Sequence, residues 1–193
     1  MAPVLSRLLS PAGFVLAGLL FLFPFVGVSC SSPELGAMDA SYTGFDLVVD
    51  GDPEFDVESQ VADQVASPGL EAPTPGVPFL AGAVLVLVVL GAGCALPARP
   101  VVRYAAAGAA AALAAVLLVI TGMAARSGLI DSIADGARVL QETTPQDLDP
   151  VTGEDFLAEA VGTRAGFWLL LAVLIVLTAG NLFAARRSRS RDG

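Results

Sequence analysis

Residues 14–47 read FVLAGLLFLFPFVGVSCSSPELGAMDASYTGFDL. The first half is apolar and uncharged, carries Phe21, Phe23 and Phe25 near its end, and stops at Ser29-Cys30-Ser31-Ser32. The second half introduces Glu34, Asp39 and Asp46 with no Arg or Lys to balance them. An uncharged apolar run of this length predicts a helix crossing a bilayer, which needs about 20 residues. The junction at Ser29 therefore sets where the membrane ends and where an acidic loop begins.

Working outward, the chain has 193 residues, 55% of them hydrophobic and 15% charged, with a mean hydropathy of +0.74. Soluble domains carry roughly 25% charged residues, so the class is an integral membrane protein. There is no His, which removes imidazole metal sites, His bases and His-dependent triads. All ten basic residues are Arg. That choice, with the Ala, Gly, Pro and Val richness, points to a GC-rich genome.

Four segments are long enough to span: 11–28, 77–96, 104–125 and 165–185, none with a charge in its central turns. Arg placement orients them, because cytoplasmic flanks are rich in basic residues. With the N-terminus inside, the inner side holds Arg7, Arg99, Arg103, Arg186, Arg187, Arg189 and Arg191, against Arg126, Arg138 and Arg164 outside. The layout is thus a cytoplasmic segment 1–10, an acidic extracytoplasmic loop 29–76, a short cytoplasmic loop 97–103, a second outer loop 126–164 and a basic cytoplasmic tail 186–193. The expected fold class is an all-α membrane protein, four transmembrane helices with a small extracytoplasmic cap that can hold a β-hairpin, in the plasma membrane with both termini cytoplasmic.

The hairpin is read from the aromatic and β-branched runs flanking Asp50-Gly51, a pair that supplies the positive φ of a tight turn; Tyr42–Leu47 would be its first strand. Residues 59–78, with Pro68, Pro73, Pro75 and Pro78, read as an extended linker. In the second outer loop Leu129, Ile130, Ile133, Ala137 and Leu140 recur at helical spacing among Asp131, Asp135 and Arg138, an amphipathic helix that either continues the third span or lies on the surface. Thr144-Pro145 ends it, and Asp155 to Val161 reads as a second short helix. Ala105, Gly108 or Ala109 and Ala112, with Gly82, Gly91 and Gly93, form small-residue faces suited to close helix contact inside the protomer, or across a dimer.

The first span admits a second reading. Gly27-Val28-Ser29-Cys30 is close to a lipoprotein cleavage motif, although Gly27 stands where Leu is usual and the apolar run exceeds the 7–15 residues of a signal peptide. The alternatives are an uncleaved helix or a lipidated Cys30. Cys94 lies near the inner end of the second span, so a bridge to Cys30 would have to cross the bilayer and is excluded by the reach of a disulfide.

Candidate chemistry is sparse. Asp50, Asp52, Glu54 and Asp56 alternate, and Asp147, Asp149, Glu154 and Asp155 cluster. Neither set is a calcium loop, since Phe55 and Val61 stand at the required Gly and Glu positions of the first and Ala158 at the Glu position of the second. They read as solubilising charge, with weak calcium binding as the alternative. Thr121, Thr178 and Asn181 are the main polar groups in the later spans, and no ionisable residue lies inside one, which disfavours proton-coupled transport. No catalytic, cofactor or metal residue is expected, nor nucleic-acid binding; the expected partners are the lipid bilayer and another envelope component.

The run Phe25-Val26-Gly27-Val28-Ser29-Cys30 followed by Tyr42-Thr43-Gly44-Phe45-Asp46-Leu47 resembles uncharacterised multi-pass membrane proteins of actinobacteria, which share a PFV-x-VSC ending and a later Y-T/S-G-x-D-L segment. The resemblance implies a four-span membrane protein and no activity. The layout of four spans with a larger first outer loop is also similar to claudin-like proteins, but the paired loop cysteines of that family are missing here. The expected function is a non-catalytic scaffold or accessory subunit, with a small transporter or channel subunit as the alternative.

Overall fold

The computed structural model describes residues 2–32, 36–57, 74–94, 100–143 and 160–190. In chain order these form α1 (Ala2–Leu20), β1 (Pro24–Ser32), β2 (Gly36–Thr43), α2 (Gly44–Val49), β3 (Glu54–Val57), α3 (Pro78–Cys94), α4 (Pro100–Thr143), β4 (Val161–Thr163) and α5 (Ala165–Arg189). The chain is mostly helical with one small sheet. Two helical stretches, Val102–Asp135 and Ala165–Ser188, are long and apolar enough to cross a membrane. The other two expected spans fall on shorter apolar helices, Ser10–Leu20 and Pro78–Cys94.

The four long helices close a ring in which α1 packs on α3 and α5, and α4 packs on α3 and α5. Each presents a stripe stepped by three and four residues: Ser10, Phe14, Ala17 and Leu20 in α1; Ala81, Val84, Val88 and Gly91 in α3; Ala107, Ala111, Ala114, Leu118, Thr121, Ala125 and Leu129 in α4; and Phe167, Leu170, Leu174, Leu177, Asn181 and Ala185 in α5. Steps of this kind keep a stripe on one neighbour along the whole helix, and alanines let α4 backbones approach closely. Contacts at both ends fix direction. Gly108 meets Asn181 and Leu182, Gly122 meets Phe167, and Gly128 meets Pro75, so α4 runs antiparallel to both α3 and α5.

The buried seam of α4 corrects the expected small-residue face. Ala107, Ala111 and Ala114 are fully buried, whereas Ala105 and Ala112 are only partly so and Ala109 is exposed; Gly108 is buried as expected. On α3 it is Gly91 that is buried, where Phe14 lies across it, while Gly93 is exposed.

The junction of residues 20–32 is the largest correction. The first helix was expected over 11–28, but it begins by Ala2 and ends at Leu20. Phe21, Leu22 and Phe23 close with turns three residues back, onto Gly18, Leu19 and Leu20. Pro24 then disfavours helical backbone at Phe23 and cannot donate a helical bond itself. From Pro24 the chain becomes β1, an interior strand of a four-stranded sheet in the order β3-β2-β1-β4. It pairs antiparallel with β2 from Pro24↔Thr43 to Ser32↔Gly36 and with β4 from Val26↔Thr163 to Val28↔Val161.

The hairpin at Asp50-Gly51 is also corrected. Thr43 closes β2, and residues 44–49 are helix, not strand. Asp50 does have left-handed backbone, φ 55°, but as the C-cap of α2. Thr43 starts that helix with a capping box: its hydroxyl accepts from the Asp46 amide at 3.1 Å, and the Asp46 carboxylate accepts from the Thr43 amide at 2.8 Å. β2 and β3 are nonetheless antiparallel neighbours, paired from Met38↔Val57 to Ser41↔Glu54, with α2 folded between them.

The amphipathic run after 125 continues α4 without a break. Leu129 is fully buried, Ile130 and Ile133 pack on the core, and Asp131 and Asp135 are exposed. Of the expected 155–161 helix only Ala160 and Val161 are described, and Val161 opens β4 instead. Residues 155–159, Ala137, Leu140, most of the 59–78 linker and the cluster at Asp147–Asp155 lie outside the described side chains or residues.

Candidate functional site

The sheet sits at the end of the bundle where α1 finishes and α5 begins, and Arg164, between β4 and α5, ties the two together. Its amide donates to the Phe25 carbonyl at 2.8 Å. Its side chain runs back over β1, where Gly27 leaves the room; a Cβ there would stand 2.5 Å from Arg164 Nε and 2.9 Å from the Ala40 carbonyl oxygen. Arg164 Nη2 then reaches both carboxylate oxygens of Asp39 and the Ser29 hydroxyl, each at 2.7 Å. Ser29 donates in turn to Asp39 Oδ2 at 3.0 Å. The network joins β1, β2 and the residue before α5. Its chemistry is that of a clamp, since Arg164 Nη2, the Ser29 hydroxyl and the Asp39 carboxylate are turned on one another, while Arg164 Nε is buried with no hydrogen-bond partner among the described residues.

Beside it, Tyr42 is buried, with Asp46, Asp50 and Asp52 nearby. Burial pushes its hydroxyl up to about 12, and the negative charges of Asp52, Asp46 and Asp50 add to the rise. The phenol is therefore neutral at any physiological pH. Below the sheet, Phe21, Phe25, Phe167 and Trp168 stack in succession with centroids 5.3, 6.5 and 5.3 Å apart, and Trp168 Nε1 donates to Thr163 at 3.0 Å. This belt joins α1, β1 and α5 at the level where an interfacial aromatic girdle would stand.

The opposite end is basic. Arg103 donates to the Tyr104 hydroxyl at 2.9 Å and lies 4.7 Å over its ring; Arg187 lies 5.2 Å over Phe183. One turn inward, Ser10 donates to Asn181 Oδ1 at 3.2 Å, and Asn181 Nδ2 donates to the Leu177 carbonyl at 2.8 Å. Thr121 and Thr178 bond carbonyls of their own helices. Cys94 is exposed at the end of α3, a bundle length from the backbone of Cys30 in β1; the Cys30 side chain lies outside those described.

Among the described residues no group of three or more acidic, His or Cys side chains is placed to hold a metal ion. Asp50 and Asp52 do lie near Tyr42, and Glu54 opens β3 opposite Ser41. The sequence marks Arg164 only as one of three outer arginines, Ser29 as the expected end of the first span and Gly27 as part of a lipoprotein-like motif, and nothing in it joins them to Asp39. Their one sequence signal is Arg164 directly before an apolar span in an acidic outer loop, where a carboxylate is a favourable partner.

No family model, curated protein or solved structure matches the chain.

Proposed function

We propose that the chain is a non-catalytic integral membrane protein, a scaffold or accessory subunit whose acidic cap meets another component of the cell envelope. The bundle lies in the plasma membrane as four spans, with both termini cytoplasmic and the sheet outside. The observation that carries this reading is the exterior of the bundle. Val15, Leu16 and Leu19 of α1, Val86, Val89 and Leu90 of α3, Leu113, Val116, Ile120 and Met123 of α4, and Ile175, Val176, Leu182 and Phe183 of α5 are all exposed. Helices apolar on both faces suit a hydrocarbon solvent, and water-soluble monomers do not expose apolar patches on this scale.

Charge supports the orientation. The helix ends carrying Arg103, Arg186 and Arg187 are the basic side, and Asp39, Asp46, Asp50 and Asp52 crowd the other. A cap stapled to the bundle by Arg164 offers a fixed acidic surface, so a basic surface is what it would receive.

The test is a photocrosslinking residue at Asp50 or Asp52 in native membranes, against one at Met123 facing lipid. The expected result is an adduct with a second polypeptide from the cap positions alone. The alternative, a transporter or channel subunit acting as an oligomer, has the buried Ser10–Asn181 pair on its side. Solute flux through liposomes holding only this chain would establish that alternative and sink the scaffold reading.

A further inference from the structure

We propose that the basic end of the bundle is a clamp for a phosphate diester, the headgroup of an anionic membrane lipid, held by Arg103, Arg186 and Arg187 across the α4–α5 seam; this rests on the membrane reading above. The register places them at one level of the bundle. Gly108 meets Asn181 and Leu182, and five residues outward along the antiparallel pair stand Arg103 on one helix and Arg186 and Arg187 on the other.

Arg103 sits one turn before Ala107 on the buried stripe of α4, so its stem follows the seam. Its Nε is buried and has no hydrogen-bond partner among the described residues. The guanidinium face rests on Tyr104 and that of Arg187 on Phe183. A guanidinium stacked on a ring still presents N–H groups at its edge, and such an edge matches the oxygens of a phosphate. On Arg103 one Nη2 hydrogen is already given to the Tyr104 hydroxyl, which leaves Nη1 and the second Nη2 hydrogen. Arg186 and Arg187 are exposed and stand ready at the rim.

Among the described residues no carboxylate stands at this end of the bundle; Asp192 of the tail lies outside them. No Asp or Glu occurs in α1, α3 or α5, nor in α4 before Asp131. Tyr104 and Phe183 mark the depth as interfacial, where lipid phosphates lie. A topology signal needs charge only, whereas a clamp needs the planar fork, and Arg103→Lys separates the two.

The experiment is native mass spectrometry of the full chain released from detergent, titrated with phosphatidylglycerol, phosphatidylcholine or inorganic phosphate. Phosphatidylglycerol should bind at least tenfold more tightly than phosphatidylcholine, whose choline competes for the same phosphate. Arg103→Lys and the double variant Arg186→Gln/Arg187→Gln should each weaken it about tenfold; the double variant changes only exposed side chains, so it remains folded. Equal binding of the two lipids, or wild-type binding by Arg103→Lys, overturns the clamp. Displacement of the lipid by equimolar inorganic phosphate overturns the lipid assignment. A chain that leaves washed membranes without detergent refutes the membrane reading instead, which a failed clamp would leave standing.

Discussion

Arg164 and Asp39, 125 positions apart in the chain, meet with Arg164 Nη2 at 2.7 Å from both carboxylate oxygens. Both side chains keep some solvent access, 31% and 42%, so the pair belongs with surface ion pairs, worth about 1 kcal/mol or less. A double-mutant cycle with Arg164→Gln and Asp39→Asn, read by thermal unfolding in detergent, should return a coupling of about that size. Gly27→Ala should cost more, about 1–3 kcal/mol. Its Cβ would press on the Ala40 carbonyl as well as on Arg164, so adding Arg164→Gln relieves only part of the loss. Full rescue would mean that the β1–β2 backbone has more room than this arrangement allows.

Gly91 and Gly93 make a matched comparison. A Cβ at Gly91 would fall 2.3 Å from the Phe14 ring, whereas nothing lies within 4 Å of one at Gly93. Gly91→Ala should therefore destabilise by about 1–3 kcal/mol through overpacking, and Gly93→Ala should stay within about 0.5 kcal/mol. Phe14→Leu should restore part of the Gly91→Ala loss. Equal effects at the two glycines would show that α1 does not pack on α3 at this level.

The helices were legible because a bilayer-length apolar run admits few alternatives, and the core of α4 and α5, Leu129 apart, falls inside the expected segments. The start of the sheet was not. Residues 24–28 are as apolar as a helix needs, and hydropathy alone cannot separate a buried strand from a buried helix. What decides is partly local, since Pro24 bars the helix from resuming, and chiefly tertiary, since β2 and β4 supply pairing on both sides of β1. The Asp50-Gly51 signal was real in that Asp50 takes positive φ, yet the Thr43–Asp46 capping box claimed the preceding residues for a helix. Arg164, Asp39, Ser29 and Gly27 come together only through that sheet, so local sequence could not announce them as a group.

Tyr42 predicts a pH dependence. The folded hydroxyl ionises near 12 and an unfolded one near 10. Below about pH 10 both states hold the proton and the term is flat. Between about 10 and 12 the unfolded chain releases it first, so the folded state loses stability as pH rises. Unfolding followed at stepped pH should show a decline over that window which Tyr42→Phe abolishes, and the phenolate absorbance missing from that variant should develop near pH 12. A Tyr42 ionising near 10 would mean that water and ions reach its hydroxyl.

The stretch around Ser29 makes the last prediction. Cleavage before Cys30, as a lipoprotein signal would require, removes α1 together with the part of β1 from Pro24 to Ser29. That deletes Phe14, Ala17, Phe21, Phe25 and Val26 from the core, opens the ring between α3 and α5, and strips β2 and β4 of the strand that joins them. Losing one buried Phe alone typically costs about 3–5 kcal/mol. Residues 2–29 are therefore structural and should be retained in the protein purified from membranes, with Cys30 carrying no diacylglyceryl group. Intact-mass measurement and peptide mapping decide this directly. Cys30→Ser should leave mass processing, membrane insertion and helicity as in the parent. A mature N-terminus at an acylated Cys30 would require a bundle of three helices, with the face of α3 that meets Phe14 turned to lipid.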